Sequence, residues 1–455
     1  MTTDRQAPDP LASEGLLSDP PTSDHRGFAE FAHDVLPRWA LVRQCFDETE
    51  IADVAGAVRS ALDPVIGEIQ PGSRVCLGAG SRGIDRIDQV VRAAVDAFRA
   101  VGAEVFIVPA MGSHGGATPQ GQLDVLAEFG ITPETMGCEI RSSMETVQLG
   151  EVRPGVPVFI DRCAYEGADL IVPINRVKVH TDFSGPNESG LMKMIAIGIA
   201  KQRGADTLHA QGFASFHELI PETAEYTLAH APIPFGLALL ENGRARLFHI
   251  EAVAAAGMRR REAELLVKAT EALARIPVSA LDVLVIDEIG KDISGLGMDS
   301  NVVGRYYDGS TGQPPSIQRI VVRDLTEGTA GNGVGLGMAE VALSRAVAKL
   351  DRRKTYMNAV TAKTPEGVRI PLTVECDRDA IDVALACCVK VRPETARLIR
   401  IRDTKHLDLL FVSEAALPDA LATGRCEIVE PLHEMRFDAN DMFLDSLEHE
   451  PGVAG

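Results

Sequence analysis

Aromatic side chains are scarce in this chain of 455 residues: they make up 5% of it, with a single tryptophan. Its core must therefore be largely aliphatic. An excess of basic residues is missing too. A formal net charge of −20 excludes nonspecific nucleic-acid binding and attachment to an anionic membrane surface, and an anionic substrate would need a local basic pocket set against that field. The eight cysteines form no C-x-x-C pair, which removes the zinc-ribbon and cysteine-held iron–sulfur patterns; reduced thiols in a cytoplasmic protein are the expectation. No apolar run approaches the roughly 18 residues of a membrane span; Met194–Ala200 is among the longest. The N-terminus has no basic stretch leading into an apolar one, so no signal peptide is read. Neither H-E-x-x-H, H-x-x-x-H nor G-x-S-x-G occurs, which leaves a zinc hydrolase and a serine-hydrolase elbow without support.

What is present is alternation. Residues 1–25, rich in Pro, Asp, Ser and Thr, read as a flexible tail, and the acidic end (Asp438, Asp441, Asp445, Glu448, Glu450) as solvated. Between them, apolar runs at Arg74–Leu77, Val105–Pro109 and Asp169–Ile174 predict buried strands. Ile87–Val101 has helical spacing, and Thr118-Pro119 is a helix start. The series resumes with strands at Val283–Ile286, Ile320–Val322 and Leu409–Val412 and a helix over Met338–Leu350, a basic helix around Met258–Ile276 joining the two halves. The expectation is an α/β protein of two domains, 26–275 and 276–455, with mostly parallel sheets and an active-site cleft between them.

Chemistry is expected in loops at the carboxyl ends of the strands. Gly78-Ala-Gly-Ser-Arg-Gly83 is literally G-x-G-x-x-G before a helix. Gly80 and Ser81 would let backbone approach a phosphate and Arg82 would pair with an anion. No acid follows the second strand to hold a ribose diol, so a mononucleotide or phosphate fits better than a dinucleotide. Gly112-Ser-His-Gly-Gly116 carries His114 at the end of the next strand. Asn175–Met194 is densest: His180 and Lys193 flank a polar loop, and Lys193 lies among Leu191, Met192, Met194, Ile195 and Ile197. Burial there would lower the lysine pKa and give a nucleophilic or acylatable amine. His209 follows sixteen residues later; His217 lacks such a setting and is read as structural. Three histidines and a lysine suit a metal site, an acid–base pair, or both. In the second half, Gly290–Arg305 offers Lys291 and Arg305 for a substrate carboxylate or the cofactor across the cleft, and the Gly331–Gly337 run is left unassigned.

Taken together, Ser81-Arg82, Gly112-Ser-His114, His180 with its loop and Lys193, and the Lys193-to-His209 interval resemble the nickel-dependent lactate racemase family from about residue 70 to 310. The resemblance implies a pyridinium-3,5-bisthiocarboxylic acid mononucleotide tethered to Lys193, nickel completed by His209, and His114 and His180 as opposed acid–base groups. Arg82 would contact cofactor or substrate. It implies a racemase or epimerase of a 2-hydroxy acid working by proton-coupled hydride transfer, with cofactor biosynthesis enzymes as partners. Ala79 stands where the family has Asp, and Val303-Gly304-Arg305 replaces its Tyr-Gln…Lys set, which implies a substrate larger than, or charged differently from, lactate. The competing readings are an NAD-dependent dehydrogenase on Gly78–Gly83 and a nucleotide-binding protein without catalysis.

Overall fold

The computed structural model describes residues 27–80, 83–180, 183–212, 215–306, 314–362 and 364–447. The tail expected over 1–25, Ser81, Arg82, Glu448 and Glu450 lie outside them. The chain is α/β, built on two large sheets.

Strand β1 (Trp39–Gln44) comes first and is followed by a six-stranded sheet and a separate hairpin. The sheet holds β2 (Arg74–Ala79), β3 (Glu104–Pro109) and β4 (Glu139–Ile140); the hairpin is β5 (Thr146–Arg153) with β6 (Val156–Asp161); then come β7 (Leu170–Arg176), β8 (Phe235–Glu241) and β9 (Leu247–Ala254). The sheet order is β4-β3-β2-β7-β8-β9, parallel except for the β8–β9 edge. Val75, Cys76, Leu77, Ile107, Val108, Ile171 and Val172 are buried, because helices cover both faces, and this is why these strands read as unbroken apolar runs. Helix Ile87–Ala100 lays Val90, Val91, Ala94, Val95 and Phe98 on one face. Thr118 caps the next helix by accepting from Gly121 N, with Pro119 in its first turn.

The second sheet holds β10 (Ala280–Ile289), β11 (Ser316–Leu325), β12 (Val341–Leu343), β13 (Leu372–Val374), β14 (Leu398–Ile401), β15 (Leu409–Ser413) and β16 (Cys426–His433), in the order β13-β12-β11-β10-β14-β15-β1-β16. Its first five strands are parallel; β15, β1 and β16 are antiparallel to their neighbours. β1 thus belongs to the second sheet, and residues 27–44 do not go with the 26–275 unit in which the sequence placed them. Trp39, fully buried, stacks on Phe411 at 4.7 Å between ring centres; burial of that face draws the strand across. The helix expected over Met338–Leu350 is also revised. Val341–Leu343 pairs with β11 and β13, leaving Ser344–Ala348 helical. The joining helix ends at Ala272.

Among the described residues, no helix is long and apolar enough to cross a membrane, and none of the eight cysteines forms a disulfide.

Candidate active site

β7 leaves the six-stranded sheet and runs to His180. Lys178 and Ser189 then bridge through reciprocal backbone hydrogen bonds of 2.8 and 3.1 Å, closing the intervening loop. Inside it, Glu188 accepts from His180 N at 2.6 Å, from Gly185 N at 3.0 Å and from Ser184 Oγ at 3.1 Å. Burial pushes its carboxyl pKa up while these donors pull it back. The loop ends at Gly190, where a one-turn helix, Leu191–Lys193, runs into a π-helical turn, Met194–Gly198. π turns displace side chains from the regular helical rows and recur at functional sites.

That geometry brings Lys193 Nζ into hydrogen-bonding contact with His180 Nε2, both side chains half-buried. The His180 ring lies 4.4 Å from Phe183, Phe183 meets Phe216 edge-on at 5.5 Å, and Phe216 stacks on His209 at 5.5 Å. A continuous row of rings therefore joins His180 to His209, which is exposed at the end of helix Lys201–His209. Neither phenylalanine stood out in the sequence; their spacing around the two histidines was the available signal.

Two buried carboxylates bond the segments around this arrangement. Glu262, 1% exposed on helix Met258–Ala272, accepts from Met192 N at 2.9 Å and from Asn187 Nδ2 at 3.3 Å. It sits on the amino end of the Lys193 turn, where the unpaired N–H groups favour an acceptor. Burial nevertheless pushes it up to about 7. Gly190 is required here, because a Cβ would lie 2.4 Å from Glu262 Oε2. The second carboxylate is Asp161, paired with Lys201 at 2.9 Å with both side chains fully buried. Lys201, held at φ +57°, also donates to Pro109 O at 2.6 Å and to Gln122 Oε1 at 3.1 Å. Gln122 in turn donates to Gly112 O and His114 O at 2.9 and 3.3 Å. Gly112 N donates to Gly198 O at 2.9 Å. The His114 loop is thereby fastened to the π turn, although the His114 side chain is exposed.

Gly80 packs on this site: a Cβ there would stand 3.0 Å from the Met194 methyl and 3.7 Å from Asn175 Oδ1. The glycine loop does not open directly onto a helix, however. Helix Ile87–Ala100 begins after Asp85 and Arg86, and Asp85 is bonded to Arg86, Arg246 and Leu247 N. Asp85 therefore stands in front of that helix with its charge paired to two arginines.

From the second unit, Asn301 Nδ2 donates to His180 O at 3.0 Å, itself set by Asp299, whose carboxylate accepts from Asn301 N at 2.9 Å. Sequence reading passed over Asn301 in favour of its neighbours. Lys291 Nζ bonds its own loop at Gly295 O, 2.7 Å. Arg305 does not reach the site. Its guanidinium bonds Glu340 (2.6 Å), Met338 O (2.9 Å) and Ile317 O (2.8 Å), near the amino ends of β11 and β12, away from the carboxyl ends of the parallel strands. It is a structural arginine, and the substrate role read for it is withdrawn. The unassigned glycine run is explained by close backbone packing: a Cβ on Gly335 (φ +103°) would lie 2.1 Å from Leu296 O.

Among the described residues, no three His, Cys, Asp or Glu side chains gather as a metal cluster. No family model and no curated protein matches the chain. Among solved structures it is similar to the lactate racemase apoprotein from Thermoanaerobacterium thermosaccharolyticum, at 14% identity and a TM-score of 0.43, over 81% of this chain and 89% of that one. So distant a likeness does not assign an activity.

Proposed function

We propose that the chain is an isomerase of a 2-hydroxy acid, a racemase or epimerase, carrying a pyridinium-3,5-bisthiocarboxylic acid mononucleotide on Lys193 with nickel held in part by His209. The observation that carries this reading is the contact between Lys193 Nζ and His180 Nε2, which sets an acylatable amine beside a potential base. The donor set suits the group. A half-buried amine can take an acyl link, and an exposed imidazole can bind a metal. When bound, that group supplies a hydride acceptor.

The protein's own part is positioning and proton transfer. His180 is held through its backbone N by Glu188 and through its O by Asn301, so the main chain that carries the ring is fixed on both sides. Nε2 would take the hydroxyl proton of one substrate enantiomer. His114, on the loop fastened to the π turn by Gly112, would serve the other hand, since each enantiomer turns its hydroxyl to a different side.

The chain should be produced with and without pincer-cofactor biosynthesis enzymes, followed by intact mass, peptide mapping and nickel analysis. The expected result is a modified Lys193 peptide and bound nickel only with those enzymes. A 2-hydroxy acid deuterated at the α-carbon should keep its label after inversion. Unmodified Lys193 without nickel in both preparations overturns the reading.

A further inference from the structure

From Gly190 to Lys201, among the described residues, every position is buried except Lys193, which is half-buried. Leu191, Met192, Met194 and Ile195, at 4% exposure or less, anchor the backbone on either side of it. One amine is therefore delivered from a firmly packed apolar segment to a place that small solutes reach.

There it meets His180 Nε2. The imidazole is itself held: Phe183 lies against its ring at 4.4 Å, and Glu188 and Asn301 bond its backbone N and O. A lysine attacks an acyl carbon only as the free amine, and a base already in contact can take the ammonium proton without bulk hydroxide. Three other lysines among the described residues differ. Lys201 is fully buried on Asp161 at 2.9 Å, out of reach of a reagent. Lys349 bonds Asp324 at 3.0 Å, the chief cause of a raised pKa. Lys268 comes no nearer than 3.4 Å to His249 Nδ1, from an exposed position.

We infer that Lys193 and His180 form a nucleophilic pair by which the chain acylates itself, taking an acyl group from a thioester or similarly activated donor onto Lys193 Nζ. The Nζ lone pair forms a C–N bond to the carbonyl carbon while His180 Nε2 accepts the proton. The C–S bond breaks, the thiolate leaves, and it recovers that proton from His180. A secondary amide and a free thiol result, and the balance calls for no oxidant or reductant. This rests on the proposed function only for its purpose, which is to tether the group that Lys193 is proposed to carry.

S-acetyl-N-acetylcysteamine tests it on the full chain made without pincer-cofactor biosynthesis enzymes, with peptide mapping of each lysine and titration of the released thiol. At about pH 7, Lys193 should react at least about 100-fold faster than Lys268 and Lys349, the scale of general-base catalysis. His180→Gln should remove most of that advantage and leave the other two lysines unchanged, an unaltered thermal midpoint showing the fold intact. Its residual rate should climb about tenfold per pH unit up to about pH 9, as a free amine's does. The parent's rate should level off near neutrality, where an imidazole titrates. Imidazole added to His180→Gly should restore part of the rate. Lys193 no faster than Lys268, or a rate indifferent to His180→Gln, overturns the inference. Neither nickel nor the pincer group takes part, so that failure leaves the isomerase reading standing, with an outside enzyme making the link. A fast, His180-dependent reaction beside an unmodified Lys193 in cofactor-producing cells overturns that reading instead.

Discussion

Replacing Glu262 by glutamine should stabilise the turn that carries Lys193 at neutral and alkaline pH. The carboxyl is 1% exposed and burial raises it from an ordinary 4.5 to about 7. Its folded-state value therefore exceeds the unfolded one, so the folded form holds the proton more tightly. Stability from this group is complete below about pH 4.5, falls as pH rises toward 7, and stays low above it. At roughly 1.4 kcal/mol per pH unit the interval is worth about 3 kcal/mol. Glutamine removes the cost of burying a charge and keeps an acceptor oxygen for Met192 N, giving up the longer bond from Asn187 Nδ2, which falls on the other carboxylate oxygen. Hydrogen exchange over residues 190–200, corrected for intrinsic rates, measures it. In the unaltered chain, protection should fall by up to about two orders of magnitude between pH 4.5 and 8; in Glu262→Gln the pH slope should largely vanish, with protection at pH 8 above that of the parent. Equal slopes in the two proteins, or a parent that gains protection as pH rises while the variant does not, would refute the reasoning.

Lys201→Met should destabilise by about 3–5 kcal/mol, because it strands Asp161 without its partner in a dry interior; the Asp161→Asn/Lys201→Met double variant should recover part of that, by thermal unfolding. Gly190→Ala should loosen the Glu262 contact and cost about 1–3 kcal/mol through overpacking, read in the same assay. Arg305→Lys should lower the thermal midpoint, since lysine replaces only some of its bonds to Glu340 and the backbone, and leave KM for a 2-hydroxy acid within about twofold; a large KM rise would restore a substrate role. Asn301→Ala should cost about 0.5–1.5 kcal/mol at the His180 contact, seen as a modest fall in kcat with little change in unfolding.

Much of the fold was legible because it is written locally. β2, β3 and β7 announce themselves as apolar runs, since a strand covered on both faces has no polar side to alternate, and helix Ile87–Ala100 carries its period openly. Val341–Leu343 was misread because three apolar residues beside a helical run fit either period, and pairing with β11 and β13 decided it. β1 could not be assigned to its sheet, because its partners β15 and β16 lie more than 360 residues away and no local pattern encodes a pairing. At the site, the proximity of His180 and Lys193 was implied by the loop they flank. What the sequence concealed was the orientation of long side chains: Arg305 and Asn301 share one segment, yet Asn301 meets the histidine and Arg305 turns to Glu340.

The placement of β1 also dictates an order of events on the ribosome. The strands of the six-stranded sheet all lie between Val54 and Ala272 and emerge as one continuous stretch of chain. Strand Trp39–Gln44 leaves the exit tunnel before it, but both its neighbours, Leu409–Ser413 and Cys426–His433, are synthesised more than 360 residues later. An apolar segment must therefore wait for its partners while that length of chain is made, during which it is open to wrong ones. Final closure of the eight-stranded sheet is a long-range step, slow by topology. Production of intact protein should accordingly depend on holding nascent chains soluble, and a chain truncated before residue 409 should aggregate through this first strand.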